Sequence, residues 1–204
     1  MPNTNWSKLN KLQIGRYAEY FAMMEFASYG FEVYTSEVDD HGIDFVVKTK
    51  DRRFLEVQVK SIRLSSVNYV FMQKEKWDIN SPDTYLALLL FEEGKLPEIY
   101  LVPAIAWKAP NALLCDKNYE GLKSKPEYGL NLSKKNMPLL GAYKLEVVLE
   151  QIVNSSIFET SKCALHEAMR SVLSEAEGNT MHAADLADEI FNRRLYLQKN
   201  GEKA

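Results

Sequence analysis

A predicted β-hairpin early in the chain carries most of the side chains that could do chemistry. Its second strand, residues 53–60, alternates strictly between apolar and polar residues, so Glu56, Gln58 and Lys60 would share one face. A tight turn can place Asp44 of the first strand opposite them. Carboxylate and amide oxygens suit Mg²⁺, and a neighbouring lysine can steady a phosphate or a nucleophilic water. The pattern therefore predicts a site for a hard divalent cation.

The order of Asp44, a hairpin and the run Gln58-Val59-Lys60 resembles the PD-(D/E)XK nuclease superfamily. The resemblance is to the Mrr-type restriction endonuclease branch, in which glutamine replaces the acidic residue of the last motif. The preceding helix is similar to the first-helix motif of that family at residues 15–19, where Glu19 would point into the same site. The resemblance covers the first half of the chain.

This resemblance implies a metal-dependent nuclease that hydrolyses phosphodiester bonds, with DNA as the expected substrate in restriction or repair. Mg²⁺, or Mn²⁺ in its place, would be held by Asp44, the Gln58 side-chain oxygen and the Val59 carbonyl. Glu19 would bind the ion directly or through water. Lys60 would position or help to deprotonate the attacking water and stabilise the charge that develops on the phosphate.

Three alternatives stay open at the level of sequence. Glu56 is a second acidic candidate, and if it reaches the metal the motif alignment is shifted by two residues. A catalytically silent DNA-binding or protein-binding module is the second, because the neutral amide of Gln58 binds Mg²⁺ less strongly than a carboxylate. The third is an α/β domain whose polar strand face is only solvated.

Composition is that of an ordinary globular chain: 204 residues, 46% hydrophobic, 26% charged, with a net charge of −3. No run of apolar residues is long enough to span a membrane, and the first residues lack the pattern of a signal peptide. We therefore expect a cytoplasmic protein that does not enter a membrane.

The net charge argues against a generic nucleic-acid coat, because non-specific DNA affinity comes mainly from lysine and arginine at phosphates. A nuclease needs only a local basic rim, and the hairpin region offers one. Its members are Lys48, Lys50, Arg52, Arg53, Lys60 and Arg63. For the turn residues taken alone, the preferred interpretation is a solvated hairpin edge whose charges deter aggregation.

The predicted helices and strands that must position these residues indicate an α/β fold. A helix over residues 7–29, capped by Ser7 and ended by Gly30, precedes the hairpin. Residues 85–91 are continuously apolar, which predicts a central strand covered on both faces, and residues 128–133 resemble an edge strand. We expect a restriction-endonuclease-like mixed central sheet flanked by helices, with a C-terminal helical extension.

The predicted domains are residues 1–153, which resemble the nuclease, and residues 154–204, which are helical, with residues 154–156 as a linker. The second region resembles the start of a HARE-type winged helix-turn-helix domain, found attached to restriction endonucleases and chromatin proteins. The sequence ends where the third, recognition helix of that domain should begin. Either the chain is a fragment of a longer protein, or the two helices form a dimerisation or docking hairpin, so a homodimer is one expectation.

Overall fold

The structure is a computed structural model that describes residues 2–35, 42–50, 52–64, 68–160, 165–176, 178, 180–193 and 195–196, with residues 154–160 described by backbone alone. The chain divides into two compact units, Met1–Leu149 and Glu150–Ala204. The position of the predicted domain boundary, at residue 153, stays a prediction.

Helix α1, Lys11–Ser28, begins with a capping box at Asn10. The Asn10 side chain accepts a hydrogen bond from the backbone N–H of Gln13, and the Gln13 side chain accepts one from the backbone N–H of Asn10, each at 2.9 Å. The predicted start at Ser7 is wrong, because Trp6–Lys8 form a separate 3₁₀ turn. Gly30 ends the helix as predicted, with a left-handed φ of 84°.

Two sheets follow α1 in the described part of the first unit. Their strands, numbered along the chain, are β1 (Glu32–Tyr34), β2 (Phe45–Lys48), β3 (Phe54–Arg63), β4 (Tyr69–Gln73), β5 (Thr84–Phe91), β6 (Glu98–Pro103), β7 (Leu114–Lys117) and β8 (Glu127–Asn131). The five-stranded sheet has the order β1-β2-β3-β5-β6 and is mixed, since only β3 and β5 run parallel. The predicted mixed α/β sheet flanked by helices is confirmed.

Helix α1 covers one face of the five-stranded sheet. The rings of Phe26 on α1 and Phe45 on β2 lie 5.6 Å apart at nearly a right angle. Phe45 pairs with Val57 on β3, so the Val57 face of the sheet is the one that α1 covers. Every residue of β5 is buried, which confirms the predicted central strand.

The smaller sheet, of order β4-β8-β7, covers the opposite face of β3 and β5. Val70 and Met72 of β4 share one buried cluster with Ile62 of β3 and Leu88 of β5. The edge strand predicted at residues 128–133 is wrong, because β8 is the middle strand, paired on both sides. The end of β3 around Ile62 therefore lies against the smaller sheet.

The second unit contains a helical pair, α3 (Leu165–Glu175) and α4 (Ala183–Asn192), as predicted. Their shared core consists of Ala168, Val172, Leu186 and Ile190. Before them, α2 runs over Leu145–Thr160, so the backbone of residues 154–156, the predicted linker, is helical. Asparagine and serine lower helix propensity only slightly, and neither glycine nor proline interrupts this run. None of the described helices has the length and apolar character needed to cross a membrane.

Candidate active site

A cleft of about 770 Å³ in the first unit brings together every residue predicted for the site. Helix α1, the residues just before β2, the middle of β3 and β4 all contribute to its lining. The predicted residues within it are Glu19, Asp44, Gln58, Val59 and Lys60. Side chains separated by up to 41 positions in sequence therefore face one solvent-accessible space.

Asp44 is held against β3 by both its backbone and its side chain. Its backbone N–H donates to the Val57 carbonyl at 2.9 Å. Its carboxylate Oδ2 accepts from the Val59 N–H at 2.6 Å, a short distance typical of a charge-assisted hydrogen bond. The regular pairing of β2 with β3 starts one residue later, at Phe45. The carboxylate thus acts as an acceptor for β3, which fixes its position beside Gln58.

Gln58 is buried, and its amide is the least satisfied polar group of the cleft. Only 8% of the residue is exposed, and Oε1 has no hydrogen-bond partner among the described residues. An acceptor buried without a partner costs about 1–3 kcal/mol. Gly42, with φ of 81°, lies close to the other end of the amide, since a Cβ there would sit 2.9 Å from Gln58 Nε2.

Glu19 reaches the cleft from α1 and forms an ion pair there with a neighbour on the same helix. Its carboxylate lies 2.7 Å from the Arg16 guanidinium, and Arg16 is mostly exposed. Exposed pairs of this kind contribute only about 0–1 kcal/mol. The ion pair is therefore weak enough for Glu19 to exchange it for a stronger cation.

The donor set fits a hard divalent ion. It consists of two carboxylates, one orphaned amide oxygen and the backbone of Val59, all lining one cleft. Within the described ranges no group of three or more histidine, cysteine, aspartate or glutamate side chains is placed to hold a metal. The oxygen atoms that these residues offer are therefore of mixed charge, with Gln58 contributing a neutral amide.

Lys60 projects from β3 on the same face as Gln58 and is half-buried. No carboxylate in the described part of the chain lies within ion-pair distance of its ammonium. Glu56 is exposed, accepts a hydrogen bond from Thr84 Oγ1 at 3.1 Å and does not line the cleft. The geometry favours Gln58 over Glu56 as the neighbour of Asp44.

Much of the predicted basic rim lies elsewhere. Lys48 pairs with Glu32 at 3.0 Å and Arg53 pairs with Asp83, while only Lys60 and Arg63 of the predicted six line the cleft. Arg63 Nη2 also donates to the carbonyls of Trp6 and Leu9, which anchors the segment before α1. The predicted rim is therefore wrong for Lys48, Lys50, Arg52 and Arg53.

Two further lysines and one strand belong to the cleft without a signal in the local sequence. Lys11 reaches it from the first turn of α1, and Lys76 from the 3₁₀ turn after β4. All five residues of β4, Tyr69–Gln73, also line it. Their place depends on how β4 packs over β3, which no spacing within the chain indicates.

Comparison with known proteins gives structural similarity alone. No family model matches the chain, and no curated protein matches it in sequence. A structure of Hjc, a Holliday junction resolvase from Archaeoglobus fulgidus, is similar with a TM-score of 0.40 and 14% identity, over 61% of this chain and 88% of that one. The structure of a bacterial homing endonuclease is similar with a TM-score of 0.46 and 16% identity, over 74% of this chain and 96% of that one.

Proposed function

We propose that this protein is a metal-dependent nuclease that hydrolyses phosphodiester bonds in DNA, as an endonuclease of restriction or repair type. The observation that carries the proposal is the buried, unpartnered Gln58 Oε1 beside the fixed Asp44 carboxylate, in one cleft with the Lys60 ammonium. The motif order in the sequence supports the same assignment. A cation site next to a lysine ammonium is the combination that phosphate chemistry needs.

The residues that would hold Mg²⁺ or Mn²⁺ are Asp44, Gln58 through Oε1, Val59 through its carbonyl, and Glu19. When bound, the ion would supply Lewis-acid polarisation of the phosphate and a lowered pKa for water. It would also give Gln58 Oε1 the partner that the described residues do not provide. That gain offsets the cost of burying the amide, which explains why a glutamine is tolerated there.

Lys60 would act on the phosphate itself. Its ammonium would lie against a non-bridging oxygen and neutralise the charge that grows there as water attacks phosphorus. The cleft adds positive charge from Lys11, Lys76 and Arg63, which would hold neighbouring phosphates of the strand. This local charge compensates for the net acidity of the chain.

A catalytically silent binding module is the second candidate, and the neutral amide of Gln58 favours it, because an amide contributes less to cation binding than a carboxylate. Both candidates use the same basic residues to contact DNA. They differ in what happens to the phosphodiester bond when a divalent cation is present.

The test is incubation of the full chain with end-labelled DNA in Mg²⁺, in Mn²⁺ and in EDTA. Single-stranded, duplex, branched and methylated substrates are compared. We expect at least one of them to be cut with either metal and none to be cut in EDTA. Folded protein that binds DNA and cuts none of the substrates would establish the silent module instead.

A further inference from the structure

Strand β4 forms one wall of the cleft, since all five of its residues line it, and this wall is not explained by the chemistry at Asp44 and Lys60. Strand alternation sends Val70 and Met72 into the buried cluster beneath the small sheet. The alternate residues Tyr69, Phe71 and Gln73 are the less buried residues of this wall. Phe71 remains 48% exposed there. A large apolar ring is thus presented to the space in which the substrate would lie.

The small sheet leaves the Phe71 ring without a cross-strand side chain above it. Phe71 pairs with Gly129 of β8, which has no side chain to cover it. The space over Gly129 is taken by Tyr69 instead, because a Cβ at Gly129 would come within 2.0 Å of the Tyr69 hydroxyl oxygen. The surface around Phe71 is therefore shaped by one glycine and one tyrosine.

Tyr69 is held in that position from three sides. Its hydroxyl donates to Glu127 Oε1 at 2.8 Å, and Tyr119 donates to the same oxygen at 2.8 Å. The Lys117 ammonium lies 3.9 Å from the centre of the Tyr69 ring. Burial raises the pKa of Tyr69 to about 12, so its hydroxyl remains a donor at neutral pH. Tyr69 is fixed, and Phe71 is the accessible ring beside it.

The charges elsewhere in the cleft indicate what would cover Phe71. Lys11, Lys60, Arg63 and Lys76 line the same space, and they suit the phosphates of a nucleic-acid strand. A phenyl ring offers nothing to a phosphate, but it stacks on the face of a base. Within a continuous duplex both faces of each base are covered by neighbouring bases, so only an unpaired base has a face to offer.

We propose that Phe71 is a stacking platform for an unpaired base of the DNA strand held in this cleft. Gln73, two residues along the same strand face, is placed to hydrogen-bond to base edges. The inference rests on the proposed nuclease function and narrows its substrate class to DNA with single-stranded or otherwise unpaired nucleotides. Continuous duplex would leave the Phe71 ring uncovered.

The experiment measures binding rather than cleavage, with the full chain in EDTA. Fluorescence anisotropy gives the Kd of a single-stranded oligonucleotide and of a continuous duplex, and 2-aminopurine in the single strand reports stacking through quenching. Phe71→Leu keeps an apolar side chain on β4 but removes the aromatic ring, and Phe71→Trp retains a ring. Phe54→Leu is the matched control, because Phe54 is 53% exposed and lies outside the cleft.

We expect Phe71→Leu to weaken single-strand binding about tenfold and to abolish the 2-aminopurine quenching, since stacking contributes about 1–3 kcal/mol per base. The Kd of the duplex should change less than about twofold, which is within the error of comparing the binding free energies of two variants. Phe71→Trp and Phe54→Leu should bind the single strand like the unaltered chain. Melting temperatures of all variants establish that each is folded.

Equal single-strand affinity of Phe71→Leu and the unaltered chain would overturn the stacking proposal, and so would equal losses for single strand and duplex. Cleavage by the same preparation in Mg²⁺ separates this failure from that of the nuclease. If the unaltered chain cleaves DNA and Phe71→Leu keeps its single-strand affinity, the stacking proposal is refuted and the nuclease proposal is not. If Phe71→Leu selectively weakens single-strand binding but no cleavage occurs, the result supports stacking and refutes the nuclease proposal. If the unaltered chain does not bind DNA, both proposals are refuted.

Discussion

Gln58 is the single residue whose chemistry most affects how well a cation would bind. Its side-chain oxygen is buried without a partner among the described residues. In the proposed site the neutral amide would supply a ligand without a charge, so Asp44 and Glu19 would provide the negative charge. Gly42 lies close to Nε2, and the buried Oε1 at the other end of the amide is the atom without a partner among the described residues.

Substituting Gln58 should change metal affinity in opposite directions according to charge. We expect Gln58→Glu to tighten Mn²⁺ binding about tenfold, because a carboxylate adds a charged ligand, and Gln58→Ala to weaken it about tenfold. Isothermal titration calorimetry of each folded variant with MnCl₂ provides the affinities. Identical affinities in all three proteins would exclude Gln58 from the metal site.

Gly42→Ala tests whether the position of the Gln58 amide matters. The added Cβ would lie 2.9 Å from Nε2, at a backbone φ of 81°. Gly94→Ala is the matched control, because Gly94 has φ of 79° and open space around the same position. Both variants should lose about 1 kcal/mol of stability from left-handed strain. Only Gly42→Ala should weaken Mn²⁺ binding, and equal Mn²⁺ affinities in the two variants would contradict the role given to this contact.

The sequence predicts those parts of the site that are formed by residues close together in the chain. Asp44, Gln58 and Lys60 lie on adjacent strands joined by one turn, so alternation and motif order suffice to predict them together. Lys11 and Lys76 reach the cleft only through tertiary packing, and neither carries a local signal. The predicted basic rim fails for a related reason, since Lys48 and Arg53 have partners on distant segments.

At the scale of elements, the small sheet is what converts a solvated strand face into a cleft. Central strand β5 is predictable from its unbroken apolar run. The sheet of β4, β8 and β7 is not, because β7 has only four residues and β4 pairs with β8, which lies far along the chain. Its packing depends on Gly129, which makes room for Tyr69 above the middle strand.

Gly129→Ala should therefore destabilise the first unit. A Cβ would overlap the Tyr69 hydroxyl and ring, which would displace that side chain and remove its hydrogen bond to buried Glu127. We expect a loss of about 2–3 kcal/mol in the free energy of unfolding, measured by urea denaturation. Gly141→Ala, with no atom within 4 Å of its added Cβ, is the control and should change stability far less. Equal stabilities of the two variants would show that Tyr69 does not need this space.

At the scale of the whole molecule, the site and the C-terminal helices lie in different compact units. Every described residue that lines the cleft belongs to Met1–Leu149. The pair α3 and α4 has its own buried core in Glu150–Ala204. The helical pair was predictable from its apolar spacing. His182 caps α4 by accepting from the Ala184 N–H at 3.3 Å.

Truncation after residue 160 tests whether the second unit is needed for chemistry. It keeps all of α2 and removes α3 and α4. We expect metal-dependent cleavage to persist, with a change in oligomeric state or in the choice of site. Light scattering and a cleavage assay on the same sample measure both. Loss of the folded state on truncation would show that the first unit depends on these helices.

The central claim is that the cleft around Asp44 and Lys60 cuts DNA, and single-turnover cleavage by Asp44→Asn tests it most directly. Asparagine keeps an oxygen to accept the Val59 N–H hydrogen bond but removes the charge, so the fold should be retained. Lys60→Ala is measured beside it, with exposed Lys95→Ala as the control outside the cleft. We expect the cleavage rate to fall about a hundredfold or more in Asp44→Asn and Lys60→Ala, and not to fall in Lys95→Ala. Unchanged cleavage by folded Asp44→Asn would contradict the assignment of the active site to this cleft.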